Sequence, residues 1–194
     1  MTTGTAPATL TGTYRIGPAH SRVGFLARHA MRAKARGPFS ELGGTGTVAF
    51  RNHRFLAEVA STEPEREKGL MYRESLAKDR CMFFNYDQSG YHAIWMKNCL
   101  IALDVAWVDG NGRIVELAER VPPCSPMLGD NCPTYGGTVE SRYFIEFPSG
   151  TFSRLGIRKG DQLGWDLTLD DGSHVKGGAP LPEGHPRKSG AGTK

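Results

Sequence analysis

The chain is poor in cysteine, has no closely spaced histidines and carries no long apolar run. Its four cysteines, at 81, 99, 124 and 132, form no C-x-x-C pair, and its six histidines never come within five residues of one another. That spacing argues against a zinc site, so no metal is expected. The longest apolar stretch, Cys99 to Val108, is interrupted by Asp104 and reaches about half the length a spanning helix requires. A membrane span is not expected. The opening MTTGTAPATLTGT lacks the basic start and apolar stretch of a secretory signal, so as written the chain is expected in the cytoplasm. Also missing are a phosphate-binding G-x-x-x-x-G-K-[ST], an H-E-x-x-H and a G-x-S-x-G elbow. Gly44 to Ala49 spells G-x-G-x-x-A, but the segment reads on as strand, whereas that fingerprint must open a helix. No cofactor is expected, and no nucleophile, acid and base set names a reaction.

Glycine and proline are plentiful instead, 25 and 12 of 194 residues, which points to many short elements. Hydrophobic residues at 39% and charged residues at 23% fit one compact domain with tails. The net charge of +4 is unevenly spread. Residues 1–51 hold seven basic residues and one acidic, residues 52–180 hold fourteen and eighteen, and residues 181–194 hold three and one. Residues 1–12 and 177–194 lack apolar periodicity and are expected to be flexible tails.

Between the tails the dominant period is two. Tyr14 and Ile16, Val23 to Ala27, Phe55 to Val59, Cys81 to Tyr86, Ala93 to Lys97, Leu100 to Val108 and Arg113 to Val121 all read as strands. Asp109-Gly110-Asn111-Gly112 joins the last two as a tight hairpin. Tyr143 to Phe147, Gln162 to Leu169 and a closing strand through Val175 bring the count to roughly nine or ten. One short helix is signalled by Thr62 as cap, Glu65 three residues on, Pro64 in the first turn and Gly69 at the end; a second turn occupies Thr151 to Leu155. The expected fold is mainly β, an antiparallel sandwich or barrel with one or two short helices. Residues 13–51 form a leader and residues 52–176 the main domain.

Within residues 53–169 stand Glu65-Arg66-Glu67-Lys68-Gly69-Leu70-Met71-Tyr72-Arg73, Met82-Phe83-Phe84, Trp95-Met96-Lys97-Asn98, Leu103-Asp104-Val105, Cys132-Pro133-Thr134-Tyr135-Gly136 and Lys159-Gly160-Asp161. In that order they resemble the bacterial family called domain of unknown function 192, which implies a compact β-sandwich without a settled activity. Residues 13–48, with Thr13-Tyr14-Arg15-Ile16, His20-Ser21-Arg22-Val23-Gly24-Phe25 and Arg36-Gly37-Pro38-Phe39, resemble the start of the YceI-like polyisoprenoid-binding family. A hairpin added to the sandwich and a fused leader docked beside it both fit this likeness.

Trp95-Met96-Lys97-Asn98 with Asp104 is the densest constellation. One reading is a pocket floor, with Trp95 stacking, Lys97 holding an anionic group, Asn98 orienting it and Asp104 as carboxylate partner; the other is a core Trp, a Lys97–Asp104 ion pair and an Asn in a turn. Arg66 and Arg73, seven apart, either present guanidiniums to an anion or lock the helix to the sheet. Tyr135 joins Trp95 as a ligand-binding candidate. Cys124 and Cys132 bracket a proline-rich loop, and the resemblance implies a disulfide there, worth roughly 2.5 kcal/mol by loop closure. Cys81 and Cys99 read as buried thiols. The basic run Arg28, Arg32, Lys34 and Arg36 lacks the aromatic interleaving of a nucleic-acid platform, so nucleic acid is not the expected partner. Two functions stay open: a module binding a small apolar or amphipathic molecule near the WMKN motif, or a cofactor-independent enzyme using Lys97, Asp104 or His92 as acid and base groups.

Overall fold

A computed structural model describes residues 43–183. The leader from 13 to 42, with its YceI-like motifs and basic run, lies outside the described residues, as do residues 1–12 and 184–194. Among the described residues there are ten strands: β1 (Gly44–Phe50), β2 (His53–Ala60), β3 (Arg80–Gly90), β4 (Ile94–Trp95), β5 (Leu103–Val108), β6 (Ile114–Val121), β7 (Thr134–Tyr135), β8 (Ser141–Pro148), β9 (Gly164–Leu169) and β10 (His174–Gly178). Eight of them form one curled half-barrel sheet in the order β10-β9-β1-β2-β3-β8-β5-β6, and β4 with β7 make a separate ribbon. Among the described residues the helices are α1 (Glu63–Lys68) and α2 (Thr151–Leu155), with a 3₁₀ turn at Pro126–Leu128. The mainly β expectation is met.

Local chemistry explains the short elements. At α1 the Glu65 carboxylate accepts from the Thr62 amide at 2.9 Å while Thr62 caps in return, and the Gly69 amide closes the end on the Glu65 carbonyl at 2.8 Å. In the β5–β6 hairpin, Asp109 Oδ1 accepts from the amides of Asn111 and Arg113, both at 2.9 Å. Of its four turn residues only Gly112 has a positive φ, 89°. A side chain at Gly112 would also strike the backbone of Gly178 at 2.4 Å.

Residues 44–50, assigned to the leader by sequence, form β1, which pairs with β2 on one side and β9 on the other. All neighbours in the large sheet are antiparallel except β2 and β3. A parallel step needs a crossover, and residues 61–79, which include α1, supply it. Both sheet faces are covered. One packs Val48, Phe55, Phe83, Ile145 and Trp165 with Phe152 of α2; the other packs Met82, Phe84, Trp107 and Phe144 with Leu70 from the crossover. Double coverage buries every residue of β5, including Asp104.

Candidate functional site: the Glu146 face and the loops above it

Residues alternate across β8, so Phe144 and Glu146 point to the face covered by the crossover, and Tyr143, Ile145 and Phe147 point to the other. Strand register sets Glu58, Met82, Glu146 and Val105 in one row across β2, β3, β8 and β5. The next row runs Ala60, Phe84, Phe144 and Trp107, with the Phe84 and Phe144 rings stacked at 4.1 Å. Two carboxyls thus flank Met82 on an apolar face, and their surroundings differ sharply.

Glu58 is buried but compensated. Arg73 grips it in a two-pronged bond, Nη1 to Oε1 at 3.0 Å and Nη2 to Oε2, and Arg80 Nη1 stands 3.8 Å away. Glu146 is only 6% exposed, and its Oε2 has no hydrogen-bond partner among the described residues. Burial pushes its pKa up to about 8. At neutral pH it is therefore mostly an uncharged acid with a proton to donate. Cys99 feels the same environment: burial first, and the neighbouring Glu146 second, push its thiol up to about 12. The Tyr86 hydroxyl is raised by burial, with Arg66 opposing and Glu146 adding.

Arg66 reaches from α1 to donate to the carbonyls of Ser61 and Asn85, the latter at 2.9 Å, and its guanidinium lies 4.6 Å from the centre of the Tyr86 ring. His92 stacks on Tyr86 at 3.7 Å, nearly parallel. Burial lowers its pKa, Arg66 lowers it further, and a bond to the Ser141 backbone opposes both. The ring is neutral at pH 7, and its Nε2 has no partner among the described residues. The His92 carbonyl accepts from Trp107 Nε1 at 2.7 Å.

The expected strand from Ala93 to Lys97 ends at Trp95. Met96 turns inward to full burial, the Cys99 amide closes a turn on the Met96 carbonyl at 3.2 Å, and Asn98 takes a left-handed φ of 57°, a conformation Asn tolerates. Lys97 nevertheless lies 4.9 Å from the centre of the Trp95 ring. It pairs with Asp130, not with Asp104. Asp104, fully buried, accepts the Arg120 amide at 2.8 Å and the Phe152 amide at 2.9 Å. It ties β6 and the first turn of α2 to the sheet, a role neither reading of the motif contained.

Tyr135 faces Ile94 across the β4–β7 ribbon, and the Asn98 carbonyl accepts the Tyr72 amide at 2.8 Å. Cys124 and Cys132 form a disulfide with their Cα atoms 5.8 Å apart. Trp95, Lys97, Asn98 and Tyr135 therefore share one group of loops, Arg66 and His92 flank Tyr86, and Arg73 and Asp104 serve elsewhere. Glu146, Glu58, Tyr86 and Asp130 are not singled out by sequence. The signal that could have found Glu146 is a lone acid inside the apolar strand Tyr143 to Phe147.

The curled sheet with a parallel crossover bearing the segment from Glu65 to Arg73 defines the class, and residues 46–165 match the family DUF192, described as an uncharacterized ACR. The chain belongs to that family. A solved structure from Novosphingobium aromaticivorans, of unknown function, is 29% identical with a TM-score of 0.58, covering 69% of this chain and 93% of that one. Another, from Sinorhizobium meliloti and proposed to be a transcription regulator, is 28% identical with a TM-score of 0.55, covering 63% and 92%. No curated protein matches.

Proposed function

We propose that the domain binds a small apolar or amphipathic molecule on the Glu146 face, inward of Trp95 and Tyr135, by a hydrogen bond from the uncharged Glu146 carboxyl to a carbonyl or hydroxyl of the ligand. The observation that carries this reading is the Oε2 of Glu146, unpartnered among the described residues, set between the apolar Met82 and Val105. Leaving such a group buried and unpaired costs about 1–3 kcal/mol, a cost that stability alone gives no reason to retain. Uncharged at pH 7, the acid suits an uncharged acceptor better than an anion. Glu146→Leu should therefore unfold at higher denaturant than the parent while losing whatever co-purifies with it. Native mass spectrometry of both proteins after mild extraction reads this directly. A parent protein that repeatedly carries no ligand, or a Leu variant that retains the same ligand, would sink the proposal.

A second reading, acid–base turnover of a small substrate, is favoured by the neutral, unpartnered Nε2 of His92. Lys97 and Asp104, the other acid/base candidates, are engaged with Asp130 and with two backbone amides. The enzyme reading accordingly rests on His92, and His92→Gln should abolish turnover without loss of fold.

A further inference from the structure

The outer side of the Trp95 segment carries an arrangement that the Glu146 reading does not use, and it stands whether or not Glu146 binds anything. Residues 124–132 form a loop closed by the disulfide, and its members from Ser125 to Asn131 are all exposed. Three ties hold it to the Trp95 segment. The Cys124 amide donates to the Met96 carbonyl at 3.2 Å, Thr134 just beyond Cys132 pairs with Trp95, and Asp130 from the middle of the loop pairs with Lys97. Within the loop, backbone bonds are confined to short-range turns at Leu128, Gly129 and Asn131. The cystine joins the two ends covalently, beside these ties, and so narrows the range of positions open to the loop that carries Asp130.

We propose that this loop is a redox-released cover on an anion-accepting platform made of Trp95 and Lys97. A dithiol reductant attacks one cystine sulphur as its thiolate, the Cys124–Cys132 bond breaks, and a mixed disulfide forms. The second thiol of the reductant resolves it. The reductant ends as a disulfide, and two electrons and two protons end on the Sγ atoms of Cys124 and Cys132. The opened loop takes Asp130 away, and the Lys97 ammonium, still above the Trp95 ring, is left to attract an anionic group whose flat or apolar part lies on the indole. The matching ligand class is an organic carboxylate or phosphate with an apolar body.

Tryptophan emission tests this cleanly, because Trp95 is 41% exposed while Trp107 and Trp165, the other two of the chain, are 0% and 2% exposed. Iodide and neutral acrylamide would be used as quenchers at constant ionic strength on the full chain. Dithiothreitol should raise the iodide quenching constant about twofold relative to acrylamide. Asp130→Asn in the oxidised protein should reproduce that rise without reduction, and Lys97→Met should abolish it under both conditions. Thiol counts after denaturation report the state, two before reduction and four after, from the four cysteines present. Four thiols in the untreated protein would overturn the proposal. So would an unchanged iodide constant in reduced or Asp130→Asn protein, or a Lys97→Met variant that still responds. Should reduction unfold the chain, seen as red-shifted emission from Trp107 and Trp165, the loop is a structural brace and the proposal is wrong.

Discussion

Glu146 should make the protein less stable as pH rises through the neutral range, and replacing it should remove that dependence. In the folded chain burial keeps the proton on Glu146 up to about pH 8, against an ordinary value of 4.5. Between those two values the folded state binds one proton more than the unfolded state. Stability attributable to Glu146 is thus fully present below pH 4.5, falls as pH rises, and levels off above pH 8. The slope is about 1.4 kcal/mol per pH unit, and the whole interval amounts to roughly 5 kcal/mol, an upper figure for a single buried acid. Glu146→Gln keeps the shape and has no proton to lose. Urea unfolding of both proteins at pH 5, 6, 7 and 8 gives a difference curve in which all other titrating groups largely cancel. The variant should be close to the parent at pH 5 and increasingly more stable than it by pH 8. Parallel profiles across that range would refute the assignment of an uncharged carboxyl to this face.

Asp104→Ala strips the buried Phe152 amide and the part-buried Arg120 amide of their acceptor and should cost about 2–4 kcal/mol in urea unfolding; Asp104→Asn, which keeps one acceptor oxygen, should fall between. A loss below about 1 kcal/mol, under the ordinary value of a single such bond, would show that the two amides find other partners. Gly136 has a φ of 60°, and a side chain there would lie 2.2 Å from the Trp107 ring. Gly136→Ala should therefore cost about 3 kcal/mol and change the near-ultraviolet circular dichroism of Trp107, whereas an unaltered spectrum would show that the ring can move aside freely.

The elements legible in the sequence are those whose causes lie within a few residues. The capping box of Thr62 and Glu65 and the Asp109 turn need only their neighbours to form. Period-two alternation likewise marks β2, β6 and β8 through the residues themselves. The features that escape it depend on contacts made across the chain. Lys97 and Asp130 are 33 residues apart, and Asp104 and Phe152 are 48 apart, so no local pattern pairs them. Glu146 and Glu58 look alike in sequence, each a single acid in an apolar strand. Only the fold brings Arg73 and Arg80 to one of them and leaves the other beside Met82 and Val105. The two-residue ribbon of β4 and β7 is too short to carry any periodicity, and the parallel step between β2 and β3 is imposed by the crossover, not by either strand alone.

The position of β1 has a consequence for how the chain is made. Among the described residues it is the first strand of the large sheet to leave the ribosome, yet it lies inside the sheet, between β2 and a strand about 120 residues further on. Until β9 has been synthesised, one edge of β1 carries unsatisfied amides and carbonyls beside the apolar Val48 and Phe50, an open template for strand addition by other chains. Native closure of the sheet therefore waits for β9, and the nascent domain spends that interval exposed to aggregation or to chaperone capture.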